Sequence, residues 1–260
     1  MEADSYEKTS SLVAKSVIAI AIGKNLDDKP NIVGTGFGLE VPECFATCWH
    51  VAETEDVLKK LTKKELEEKY QLIDNKLRIA RMTKVDIYEW QEVEDGTWFR
   101  ASDKVNDVCV YRAIGVPVPP LHLFHEEIYP LGSEVGVIGF PMGNLLQGNI
   151  IRSFRSKTII AGGLELKLKG GAETFRLALD STYAGGFSGS PVFLAANGQV
   201  VGILSSKTME SKSDQLWPSG ISLAIPAKLI QPVLINALNK TTDIIKDSLR
   251  KRFGVAKQQN

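Results

Sequence analysis

Short apolar runs, broken by glycine, proline and charged residues, make up most of this chain, and only two stretches follow the longer period of a helix. Ser16 to Gly23 reads as a first strand. Ile32 to Val41 and Cys44 to Cys48 read as a hairpin, and strands resume at Leu77 to Met82, Val85 to Glu92 and Thr97 to Arg100, with another leading out through Val108. A second β-rich run extends from about Glu134 to Ile225. Within it Gly170-Gly171 and Asn197-Gly198 mark hairpins; Asn-Gly favours a two-residue type I′ turn, because both positions need positive φ. Between the runs lies Val116-Pro117-Val118-Pro119-Pro120, where proline stiffens the chain and removes the donors a ladder needs. The first helical stretch predicts an insertion over about 53–76, with Val57, Leu61 and Leu66 in phase among Glu–Lys pairs. The second is an apolar stripe through Val233, Leu234, Ala237, Leu238, Ile244, Ile245 and Leu249, with Pro232 harmless in a first turn. Residues 1–15 carry no such pattern and are expected to form a loose segment.

Composition narrows the picture. A hydrophobic content of 43% over 260 residues suffices for a real core. Thirty-one basic and 31 acidic residues cancel, so neither nucleic acid nor a membrane is an expected partner. The apolar stretch from Val17 to Ile22 is too short to span a bilayer, and Glu2, Asp4 and Glu7 give it the wrong flank for a signal peptide. Cys44, Cys48 and Cys109 cannot all pair, and their spacing fits neither a disulfide framework nor a zinc site. A cytoplasmic protein is expected. His122 and His125 have H-x-x-H spacing, but proline-flanked chain beside Glu126 and Glu127 is a poor metal template. No metal and no cofactor is expected.

The segment Gly186-Phe187-Ser188-Gly189-Ser190-Pro191 carries the most chemistry. A serine hydroxyl becomes a nucleophile when a base takes its proton, and flanking glycines let the backbone turn sharply and aim its amides at one point. Of the three histidines, His50 in Thr47-Cys48-Trp49-His50-Val51 is placed at a strand end, where its ring reaches a cleft. The buried acid needed to orient that imidazole is supplied by Asp107, entering a strand of β-branched residues. Cys109, two residues on, is expected to pack beside it. The order His50, Asp107, Ser188 and the presence of Ser190 where an α/β-hydrolase elbow needs glycine exclude that fold.

These motifs resemble the chymotrypsin-like clan, and within it the protease domain of the HtrA (Deg) family, over about residues 16 to 235. Gly34-Thr35-Gly36-Phe37 is similar to the family's G-S/T-G-F strand, Thr47 to Val51 to its T-x-x-H-V box, and Asp107 to Val110 to D-L-A-V. Gly132 to Gly143 and Gly220 to Pro226 resemble two further family motifs, in the family's order. The resemblance implies an all-β fold of two six-stranded Greek-key barrels. Residues 16–118 would carry His50 and Asp107, residues 119–227 Ser188, and residues 228–260 a helix and tail with no PDZ domain. It implies a serine endopeptidase working through an acyl-enzyme on protein or peptide substrates, with the amides of Gly186 and Ser188 as the oxyanion hole. Substrate would pair as an added strand along Ser205-Ser206-Lys207.

The same resemblance puts Thr182 and Tyr183 at the floor of the primary pocket, with Leu204, Ser205, Ser206, Ser222 and Leu223 as walls. None of these is acidic, so small or medium uncharged residues are expected there rather than arginine or lysine. Asp180 is expected to be structural. Three departures stand out. Phe187 occupies a position where digestive relatives carry an aspartate; Trp49 replaces a small residue; and the 53–76 insertion has no counterpart. That insertion and the C-terminal helix are where a regulatory partner could dock. The competing class is a catalytically silent scaffold, against which the intact triad argues.

Overall fold

The computed structural model describes residues 5–85, 87–102, 104–141, 151–167, 173–205 and 220–253. The first unit is an antiparallel sheet of β1 (Val17–Lys24), β2 (Pro30–Gly38), β3 (Cys44–Cys48), β4 (Leu77–Lys84), β5 (Ile87–Glu92), β6 (Gly96–Arg100) and β7 (Val108–Ala113). Its order is β5-β4-β1-β2-β3-β7-β6, one strand more than the six expected. β1 is buried on both faces along Val17 to Gly23, which is why its sequence runs apolar without alternating. The second unit is a closed six-stranded barrel. β8 (Glu134–Gly139), β9 (Phe154–Lys167), β10 (Glu173–Leu179), β11 (Pro191–Leu194), β12 (Val200–Ser205) and β13 (Ser222–Pro226) close in the order β10-β13-β12-β11-β8-β9.

One apolar cluster crosses between the units. Ile18, Ile20, Phe37 and Phe45 of the sheet belong to the same cluster as Phe140, Phe193 and Ile203 of the barrel, all essentially inaccessible. A smaller cluster, including Val135, Ile160, Leu177 and Leu204, fills the barrel interior. The linker is clamped between them: a side chain on Gly38 would lie 2.2 Å from the Pro119 carbonyl, and Leu121 N–H donates to Gly38 O at 3.0 Å.

Two expectations are corrected, and a third lies where nothing tests it. Residues 5–13 are not loose but form α1 (Ser5–Val13). Its own sequence is a weak helix former; what holds it is the stacking of Tyr6 on Phe193, the Tyr6 hydroxyl donating to Ser156 O, and the burial of Val13. The Asn197-Gly198 hairpin is no two-residue I′ turn, because Gly198 alone has positive φ and the loop runs from Leu194 to Val200. Gly170-Gly171 lies outside the described residues.

The insertion is present as α2 (Trp49–Leu58) and α3 (Lys63–Tyr70). α3 starts on a capping box of Thr62 with Glu65, and that hydrogen bonding holds the Glu65 carboxyl below its usual range. α4 (Ile230–Phe253) leaves the barrel but packs across β7 and β6 of the other unit, burying Val233 and Ala237. It therefore straps the two units together. Among the described residues no helix is long and apolar enough to cross a membrane.

Candidate active site

The site forms where the two units meet, and a buried threonine organises it. Thr35 on β2 donates its amide to Ser188 O (2.8 Å) and its hydroxyl to Gly186 O (2.9 Å), and the same hydroxyl accepts from Phe140 N–H (3.0 Å). Its carbonyl accepts from the Thr47 hydroxyl at 2.7 Å. Thus one side chain and its backbone fix the serine turn against the first unit. Ser188 itself sits at the corner of a turn closed by Ser190 N–H donating to Phe187 O at 2.9 Å. Gly189 follows at φ +91°, as the third position of such a turn requires. A side chain there would stand 1.9 Å from Thr35 O and 2.3 Å from Thr47 Oγ1, so glycine is obligatory on two counts.

His50 does not sit at a strand end. It lies in the first turn of α2, two residues beyond β3, so the insertion begins at Trp49 rather than near 53. Both Asp107 carboxylate oxygens lie against His50 Nδ1, at 3.0 and 2.9 Å, and one also accepts from the His50 backbone N–H at 3.0 Å. Asp107 carries φ +50°, a conformation that Asp tolerates better than most residues, and its carbonyl accepts from Trp49 N–H at 2.9 Å. Ser205 Oγ donates to Asp107 Oδ2 at 2.9 Å. Burial by itself would raise the Asp107 pKa. The hydrogen bonds and charge of His50, with help from the Ser205 hydroxyl, win and hold it below the usual carboxylate range. A carboxylate kept ionised there fixes the Nδ1–H tautomer and leaves Nε2 as the basic nitrogen.

A second thiol, Cys48, comes closer to the pair than Cys109, which is fully buried and still feels the Asp107 charge. Cys48 is inaccessible and donates to Leu204 O at 3.4 Å; burial first, and then the Asp107 charge, push its pKa well up. Its sulfur, His50 and Asp107 place their ligand atoms within 4.8 Å of one another, the one such group among the described residues. His50 and Asp107 stand at hydrogen-bond distance, which is a geometry for holding a proton. All three cysteines are free thiols.

Residues 34–203, well over half of the chain, match the model of the trypsin-like peptidase domain. The chain belongs to the trypsin-like peptidase family. The mouse (Mus musculus) peroxisomal leader peptide-processing protease is 28% identical over 202 residues, which are 76% of this chain and 30% of that protein, so the chain spans under a third of that relative's length. In fold it is similar to the HtrA-type protease AlgW with tripeptide, with a TM-score of 0.60 and 19% identity over 89% of this chain and 62% of that one. It is also similar to the protease Rv3671c from M. tuberculosis in its active form, with a TM-score of 0.57 and 18% identity over 87% and 82%. The kinship read from the motifs is thereby shown, and with it the chymotrypsin-like fold.

Not every residue expected to bind substrate lies open in the structure. Thr182 is exposed, and Tyr183 is half-buried, its ring against Phe187 at 5.3 Å and its hydroxyl donating to Ser156 Oγ at 3.3 Å. Leu204 is fully buried in the barrel core, so it cannot wall an open pocket. Ser205 spends its hydroxyl on Asp107. Ser222 and Leu223 are half-buried on β13, where Leu223 pairs with Ser205; Ser206 and Lys207 lie outside the described residues. Asp180 is exposed just past β10. Phe187, 7% exposed, anchors the turn in the barrel core. Trp49 lies under two cations, Arg100 and Lys104, at 5.9 and 6.0 Å. His122 and His125 are engaged apart from each other, with Glu40 and Gln231. The sequence missed Thr35 as the organiser of the turn, although it lies in the quoted Gly34-Thr35-Gly36-Phe37 motif.

Proposed function

We propose that the protein is a serine endopeptidase acting on protein or peptide substrates. Ser188 Oγ attacks the carbonyl carbon of the scissile bond while His50 Nε2 takes its proton. The tetrahedral intermediate collapses as His50 returns that proton to the leaving amine, giving an acyl-enzyme on Ser188. Water, deprotonated by His50, then hydrolyses the ester and frees Ser188. Asp107 holds the imidazole and stabilises its cation. The amides of Gly186 and Ser188 stabilise the oxyanion, an effect worth about 3–4 kcal/mol per donor in measured cases.

The observation that carries this reading is the grip of Asp107 on His50 Nδ1 at 2.9 and 3.0 Å, beside a serine turn fixed by Thr35. A structural ion pair needs no glycine-cornered serine next to it. Three free, buried thiols support a reducing compartment such as the cytoplasm. The test is a comparison of wild type with Ser188→Ala on a pool of cellular proteins. Cleavage products with wild type and none with the variant are expected; identical patterns from both would refute the assignment.

A further inference from the structure

Where the linker between the units crosses the first unit, a pocket of about 460 Å³ opens that none of His50, Asp107 and Ser188 lines. Leu39, just past β2, and Val118 of the linker lie on its lining at 1% and 6% exposure, with half-buried Met82 of β4 beside them. Leu39 and Val118 belong to the apolar cluster that crosses between the units. Four charged side chains share the lining, and they are not equivalent. Glu40 lies 2.7 Å from His122 Nδ1, and Glu43 accepts Gly115 N–H at 2.8 Å and pairs with Arg112 at 3.6 Å. Both acids are thus engaged. Lys15, exposed just before β1, and Arg81 of β4 have no carboxylate partner among the described residues; Glu89 stands opposite Arg81 in the ladder without pairing with it. Arg81 gives one N–H to Pro117 O at 3.3 Å and keeps the rest of its guanidinium donors.

We propose that this pocket binds a medium-chain aliphatic carboxylate, its chain on the Leu39–Val118 floor and its head between Lys15 and Arg81. Charge selects the head: two cations without acidic partners offer charge-assisted hydrogen bonds to a carboxylate, while the two acids on the lining are already satisfied. The prolines select the body. A peptide added along the linker needs N–H donors for its carbonyls, and from Pro117 to Pro120 only Val118 has an N–H. Pro42 withholds another donor on the same lining, and Leu39 N–H is already given to Cys44 O at 2.9 Å. An apolar chain without amides asks for none of these donors. Size agrees, because pockets of roughly 300–1,000 Å³ hold small organic ligands, and a chain of about ten carbons sits at the lower end of that range. Bound there, the chain touches Leu39 of the first unit and Val118 of the linker together, so it stabilises the folded molecule. The site is separate from the endopeptidase reading and does not depend on it.

The test is calorimetric titration of the whole chain with decanoate, decanol, decylamine and butanoate, and with a short peptide ending in a leucine carboxylate. Decanoate should bind one to one, about tenfold or more tighter than decanol, the scale of one charge-assisted hydrogen bond, and should raise the thermal midpoint. Butanoate, too short to cover the floor, and decylamine, of the wrong sign, should bind about tenfold or more weaker than decanoate. Lys15→Gln combined with Arg81→Gln should bring the decanoate-over-decanol ratio towards one. Either substitution alone should lower that ratio, which keeps the test open if the double variant does not fold. Decanoate binding that does not saturate, or that only equals decanol, overturns the proposal. Decylamine binding as tightly as decanoate would give the pocket to Glu40 and Glu43, and the peptide binding as tightly would give it to a chain with amides; each overturns the assignment. So does a folded variant with an undiminished ratio. Ser188→Ala should bind decanoate as wild type does, so the endopeptidase reading can fail without touching this result.

Discussion

At φ +50° the backbone of Asp107 turns off the strand path one residue before β7 begins, and that torsion brings its carboxylate onto His50. It also explains why a second thiol comes closer than the expected one. Counting Cys109 two residues from Asp107 assumes an unbroken period of two, and the left-handed residue breaks it. Cys48 arrives instead from the end of β3. Asparagine accepts the same torsion, so Asp107→Asn isolates the charge; it should reduce turnover by up to about 10⁴-fold through the wrong imidazole tautomer. Stability follows the depressed pKa. The unfolded carboxyl titrates near about 4 and the folded one below it, so the stabilisation is complete above that pH and is lost as pH falls through the folded value. Denaturation curves of wild type and Asp107→Asn should therefore converge in acid and separate at neutral pH. Thr35→Val keeps the shape but leaves Gly186 O and Phe140 N–H without their partner; at about 1–3 kcal/mol per buried unsatisfied group it should both destabilise and slow the enzyme. A variant with wild-type midpoint and kcat would remove Thr35 from the account.

Among the elements, the strands were legible because apolar runs bounded by glycine, proline and charge leave little choice, and β1 to β7 fall within a few residues of their expected positions. α1 was not legible, since its stability comes from Phe193 and Ser156, both far away in sequence. α2 was half legible. Its periodicity was read from residue 53, but its first turn is decided by docking. Glu55, buried, accepts from Trp98 Nε1 and pairs with Lys59, while Asp56 and Glu53 pair with Arg100 and Lys104. These contacts differ in weight. Lys104→Ala breaks an exposed pair and should cost under about 1 kcal/mol. Trp98→Phe leaves a buried carboxylate short of a donor and should cost about 1–3 kcal/mol, with a lower kcat because α2 carries His50. Urea midpoints and steady-state rates on the two variants check both the ranking and the link to His50.

For the molecule as a whole, the motif order fixed the kind of fold, and the family match bears it out. The crossing of α4 onto β6 and β7 was invisible locally, because an apolar stripe marks the face that is buried and not the surface that buries it. Since Val233 is 3% exposed under that strap, Val233→Asp buries an unpaired charge and should lower the denaturation midpoint of both units together. Two separated transitions would mean that the units do not depend on α4. The primary pocket remained illegible for a related reason: Leu204 and Ser205 follow each other on one strand, yet one fills the barrel and the other serves Asp107. The central claim is that His50 activates Ser188. Its most direct measurement is intact-mass and peptide mapping after reaction with a fluorophosphonate, which bonds covalently only to an activated serine. One adduct on Ser188 in wild type, lost in His50→Ala although Ser188 is still present, is the predicted result. No adduct on folded wild type, or an equal adduct in folded His50→Ala, would contradict it.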